Sequence, residues 1–91
     1  MVKNNELLAY FLENLWTKGF KLTDEEVQFI YFGMKYTNTT AKQVKIALSL
    51  TLQLKLQFDG SFYISLLELC QNHNIGTMRE ARNALKEKQI I

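Results

Sequence analysis

One stretch constrains this chain more than any other: Ile46–Leu66, IALSLTLQLKLQFDGSFYISL. From Ile46 to Phe58 an apolar residue stands at every second position, and after Asp59-Gly60 the alternation resumes at Phe62, Ile64 and Leu66. Strict alternation marks a half-buried strand, and Asp-Gly is a common hairpin turn. Register weighs against the simplest hairpin. A two-residue turn sets Phe58 opposite Ser61, Leu56 opposite Tyr63 and Leu54 opposite Ser65, so an apolar face meets a more polar one. Only a three-residue turn, Asp59-Gly60-Ser61, brings Phe58 to Phe62 and Leu56 to Ile64.

The rival is a helix. The chain has no proline and four glycines in 91 residues, a composition that suits helices. Leu, Gln and Lys dominate 47–57, and β-branched residues are scarce after Ile46. Apolar residues at every second position spread around a helical cylinder, so such a helix must be central and contacted on most sides. Local signals leave strand and helix balanced, and the flanking sequence decides for helix.

Upstream, Asn4 or Asn5 can cap a helix over Glu6–Lys18, with Leu7, Leu8, Phe11, Leu12 and Leu15 on one stripe and Gly19 just past its end. Thr23-Asp24-Glu25-Glu26 is a capping box, with Leu22 and Val27 placed as a staple, and opens a helix running to about Tyr36. Three carboxylates in its first turn suit the helix dipole better than a metal site. Asn38-Thr39-Thr40 is a break, and Thr40 with Gln43 has capping-box spacing again, so a third helix is expected over 41–58.

Downstream, a helix over Ser65–His73 turns Leu66, Leu69 and Cys70 inward. Asn74 tolerates the left-handed conformation of a tight turn, and Ile75 plugs the core. A second helix from Gly76 or Thr77 to Lys88 places Met78, Ala81 and Leu85 on its apolar face. Helix, short turn, helix is the helix-turn-helix pattern.

The run DGSFYISLLELCQNHNIGTMREARNALKEKQII resembles the winged-helix domains of plasmid and phage replication initiators and related regulators, over about residues 41–91. Asp59-Gly60-Ser61 matches their turn after a long first helix, and Phe62-Tyr63-Ile64 matches the short strand that follows. Ser65 stands at the cap, Leu69 and Cys70 at the Leu-Ala pair, Asn74 at the turn and Ile75 at the plug. Ala81, Leu85, Ile90 and Ile91 fit the remainder. The turn before Met78 is about two residues shorter than in the family, and the sequence reaches Ile91 where the wing would begin. The resemblance therefore implies a wingless unit, with Phe62–Ile64 unpaired or briefly paired to Ile90–Ile91.

The fold expected is all-α, mostly helical with about five helices and at most one short strand. It is a single domain over 1–91, in which an N-terminal helical pair (4–37) packs on a helix-turn-helix unit (41–91). Both arginines of the chain, Arg79 and Arg82, fall on the last helix. Thr77, Arg79, Arg82, Asn83 and Lys86 are the candidate DNA-binding residues. Arg grips guanine edges bidentately, Asn reads adenine, and Lys and Thr hold phosphate. Glu80 and Glu87 dilute this patch.

The function expected is non-catalytic DNA binding by a regulator or replication accessory factor of a mobile element, with double-stranded DNA and a second copy as partners. A homodimer is expected because paired half-sites restore the phosphate contacts one wingless unit lacks. The alternative is a protein-interaction module of the inhibitor, immunity or antagonist type, with a protein partner and no DNA.

No enzyme motif is present: no glycine-rich phosphate loop, nucleophile elbow or paired carboxylates. No cofactor or metal is expected, since His73 is the sole histidine and Cys70 the sole cysteine. A single cysteine excludes an internal disulfide and fits a reducing compartment; with no apolar signal segment, this points to the cytoplasm. The aromatics Tyr10, Phe11, Trp16, Phe20, Phe29, Tyr31, Phe32 and Tyr36 concentrate in the N-terminal half, as core or as a self-association surface.

Overall fold

A computed structural model describes residues 4–90, with side chains from Leu8 onward. The cap expected of Asn4 or Asn5, Leu7 of the first stripe and Ile91 lie outside the described side chains. The elements are α1 (Asn4–Thr17), α2 (Asp24–Thr37), α3 (Ala41–Lys55), α4 (Gly60–Asn72) and α5 (Met78–Glu87). Among the described residues there is no strand.

The end of α1 and the starts of α2 and α3 are explained locally. Gly19 ends α1 in the left-handed region, φ 96°. Thr23 and Glu26 close a reciprocal capping box on α2, and Thr40 and Gln43 close another on α3. Between them Asn38 turns the chain at φ 55°. Leu8 and Leu15 are buried on α1's inner stripe.

The alternation at 46–58 belongs to a central helix. Val44, Ile46, Ala47, Leu48, Leu50, Thr51 and Leu52 are all buried, although they point around most of the cylinder. α1 covers one side of α3, α4 another, and α2 touches it as well. The buried Thr51 hydroxyl donates to the Ala47 carbonyl at 2.8 Å, so this polar residue of α3 is satisfied. α3 ends three residues before the expected Phe58, with Leu56 left-handed at φ 61°.

The expected strand at Phe62–Ile64 and the expected helix cap at Ser65 are not what forms. Asp59 caps α4 instead: its carboxylate accepts the Phe62 amide at 3.0 Å, and Phe62, Tyr63 and Ile64 lie in the first turns of the helix. Ser65 is an exposed mid-helix residue. A lone strand would leave its amides and carbonyls unpaired, whereas the helix pairs them internally. The helix also seats Tyr63, which is fully buried and donates its hydroxyl to the Ile30 carbonyl at 2.8 Å. Burial pushes the Tyr63 phenol well above the ordinary tyrosine range, so it stays a protonated donor.

α2 packs chiefly on α4 and α1 on α3, so each helix of the expected N-terminal pair rests on the 41–91 unit. α2 comes close because Gly33 has no side chain. A Cβ there would fall 2.8 Å from Ile64 and 2.9 Å from Tyr63. Phe29, Phe58 and Tyr63 fill the adjoining end of the core, with ring centroids 5.7 to 6.4 Å apart. The radius of gyration is 12.3 Å, close to the ~12 Å of a single packed body of this length.

Candidate nucleic-acid interface

α4, a short turn and α5 form the end of the molecule where the candidate residues lie. The turn is built as the residue types demand. Asn74 adopts φ 53°, and the Ile75 amide reaches back to the Cys70 carbonyl at 2.8 Å. Ile75 is buried, as are Cys70, Ala81 and Leu85. Burial pushes the Cys70 thiol up to about 11. Cys70 is buried while His73 is exposed, so these two do not converge as ligands.

A side chain from α3 holds this corner. Gln43 Nε2 donates to the Ile75 carbonyl at 2.9 Å and to the Cys70 carbonyl at 3.2 Å. Its Oε1 accepts the Thr40 amide at 3.1 Å. One amide group thus caps α3 and ties the α4–α5 turn to it. The sequence shows the capping half of this role. The other half joins residues 27 and 32 positions apart and leaves no local signal.

α5 begins at Thr77, whose hydroxyl accepts the Glu80 amide at 3.1 Å and lies 3.0 Å from the Glu80 carboxylate. That carboxylate also accepts the Gly76 amide at 3.2 Å. The Gly76 amide foremost, then the Thr77 hydroxyl, hold the Glu80 carboxyl below the usual carboxylate range, with a smaller contribution from Lys42. Thr77 is therefore committed to the cap. The spacing Thr77-Met78-Arg79-Glu80 carries this capping signal in the sequence, so Glu80 does more than dilute the basic patch.

Arg79, Arg82, Asn83 and Lys86 are all exposed. At about 100° per residue, Arg79, Arg82 and Lys86 fall within roughly 60° of arc on one flank of α5. Glu80 and Glu87 fall on the other flank, with Asn83 between. Arg82 donates from Nη2 to Gln53, which holds its guanidinium toward α3. Lys88 stands apart, on the rim of an apolar groove of about 430 Å³ whose lining includes Phe62, Leu66, Leu69, Leu85 and Ile90. The acidic flank borders a shallow cleft shared by His73, Glu80, Asn83 and Glu87.

Fold and site together define a small all-helical domain whose last helix is anchored by one narrow apolar stripe and offers the rest of its surface to solvent. The chain belongs to a family of unknown function, DUF6123, whose model matches residues 3–91. No curated protein and no solved structure gives a match. No helix among the described residues is long and apolar enough to cross a membrane.

Proposed function

We propose that this is a non-catalytic DNA-binding protein, a transcriptional regulator or replication accessory factor, that lays α5 along a groove of double-stranded DNA. The observation that carries this reading is the one-sided placement of Arg79, Arg82 and Lys86 on an exposed flank, with Asn83 beside them. Glu80 does not oppose it strongly, because its carboxylate is drawn onto the helix's own N-terminus. Arg79 and Arg82 supply bidentate donors for guanine edges or phosphates, Asn83 a donor–acceptor pair suited to adenine, and Lys86 a phosphate contact. Thr77 serves by capping α5. The resemblance of about residues 41–91 to winged-helix domains, reduced to the α4–turn–α5 pair by the helix that stands in place of their strand at Phe62–Ile64, supports the same use of α5.

A second reading keeps the fold and removes the DNA: a small helical protein-interaction module. Glu87 favours it, since it lies one turn beyond Asn83 on the outward surface and repels phosphate.

Fluorescence anisotropy with mixed and AT-rich duplexes tests the proposal, at about 50 and 200 mM salt, beside the Arg79→Ala/Arg82→Ala double variant. Wild type is expected to bind at low salt and weaken steeply at the higher. The double variant is expected to lose at least about tenfold in affinity, as two phosphate or base contacts disappear. Absence of binding at low salt by folded protein removes the DNA reading and leaves the interaction module.

A further inference from the structure

The outward face of α2 has no partner within the described chain. α2 turns Ile30, Gly33 and Thr37 into the molecule. Its opposite face carries Glu25, Gln28, Phe32 and Lys35, all exposed. Their spacing of three, four and three residues sets them along one strip of the helix surface, with Phe32 as its apolar member. Tyr36 flanks the strip and stacks on Phe32, with ring centroids 5.6 Å and planes 16° apart. Phe32 is 56% and Tyr36 67% exposed. Two large rings already held against each other lose little side-chain freedom when a partner covers them.

The strip is also its own complement when reversed. Glu25 and Lys35 lie symmetrically about Ile30, and so do Gln28 and Phe32. We propose that α2 pairs with α2 of a second copy of this chain, antiparallel, across a twofold axis that passes the outward face of the helix level with Ile30. In that pairing each Glu25 meets Lys35 of the partner subunit, and each Gln28 lies over Phe32 of the partner subunit. Parallel pairing would bring together the carboxylates of Asp24, Glu25 and Glu26 from both copies, so charge selects the antiparallel arrangement. A twofold axis makes every contact twice, so one complementary pair becomes two. Two helices of this length bury about 1,000 Å² or less in total, which defines a weak, reversible dimer. The inference does not rest on DNA binding.

The test is sedimentation equilibrium over a concentration series up to about 1 mM, a range suited to an interface of this size class. The samples are wild type, Glu25→Lys, Lys35→Glu, an equimolar mixture of those two, and Phe32→Ser. All the substituted positions are exposed, and far-UV circular dichroism checks that each variant keeps its helices. Wild type is expected to show a monomer–dimer equilibrium. Each charge reversal alone is expected to weaken it about tenfold, because both symmetric contacts become like-charged. The mixture is expected to recover wild-type affinity as a heterodimer, since each reversed residue then faces an opposite charge. Phe32→Ser is expected to abolish dimerisation. A wild type that stays monomeric, a mixture no tighter than its components, or a Phe32→Ser variant that dimerises normally would each overturn the proposal.

Discussion

Replacing Gln43 by Ala should be among the most damaging changes to a partly exposed polar residue in this protein. The substitution removes three hydrogen bonds: the Thr40 amide to Oε1, and Nε2 to the carbonyls of Cys70 and Ile75. The two long-range bonds contribute about 1 kcal/mol each. The capping interaction adds roughly 0.5 kcal/mol, and the better helix propensity of Ala returns a little less than that. The net loss is about 2 kcal/mol, which in a domain of this size lowers Tm by about 8–16 °C. Thermal unfolding followed by circular dichroism measures it.

Gln43→Glu isolates the donor's role. It keeps an oxygen for the Thr40 amide but points a carboxylate at two carbonyl oxygens unless it is protonated. The folded protein therefore raises the pKa of this glutamate above its unfolded value of about 4.3. The stabilisation that follows is fully present below the unfolded pKa and is lost as pH rises through the folded one. Gln43→Glu should thus approach wild-type stability in mild acid and fall away at neutral pH. A Gln43→Ala variant that melts within about 2 °C of wild type would refute this role of Gln43. A gap between Gln43→Glu and wild type that does not depend on pH would refute it equally.

Three further outcomes are expected. Leu56→Gly should raise Tm by about 3–6 °C: a left-handed leucine costs about 1.5 kcal/mol, the looser unfolded chain of glycine gives back about 0.7 kcal/mol, and this leucine, 82% exposed, contributes little buried surface; an unchanged or lower Tm in the thermal melt would refute it. Cys70 in native protein should react with a disulfide reagent at pH 8 at least about a hundredfold more slowly than in denaturant, since the thiol is buried and must wait for opening; immediate reaction would contradict its burial. Glu80→Gln should lower Tm at neutral pH, with the gap to wild type closing as acid protonates Glu80. Its depressed pKa means the carboxylate's contribution is present above the unfolded value and lost as pH falls through the folded one; a gap that persists unchanged below that range would refute the cap.

Features that depend on neighbours within a turn of chain can be read from the order of residues alone. The capping boxes at Thr23 and Thr40, the left-handed Gly19 and Asn74, the plug at Ile75 and the apolar stripe Met78–Ala81–Leu85 are all legible there and present in the fold. Each rests on bonds or contacts between residues close in the chain, so their spacing is their signature. The exposed candidates Arg79, Arg82, Asn83 and Lys86 followed from the same periodicity, as the complement of that stripe. Other features depend on contacts between distant parts of the chain. The alternation from Ile46 to Phe58 fits a strand on one face or a helix buried on several, and only the helices around α3 choose between them. Phe62–Ile64 became helix in part through the local Asp59 cap, a signal the hairpin turn Asp59-Gly60 equally fits, and in part because Tyr63 finds the Ile30 carbonyl, 33 residues away. Gln53 beside Arg82 and Gln43 under the α4–α5 turn are likewise partners from distant parts of the chain. Spacing along a sequence encodes what lies within about one turn of helix. What a buried side chain touches across the core is settled only when the helices pack.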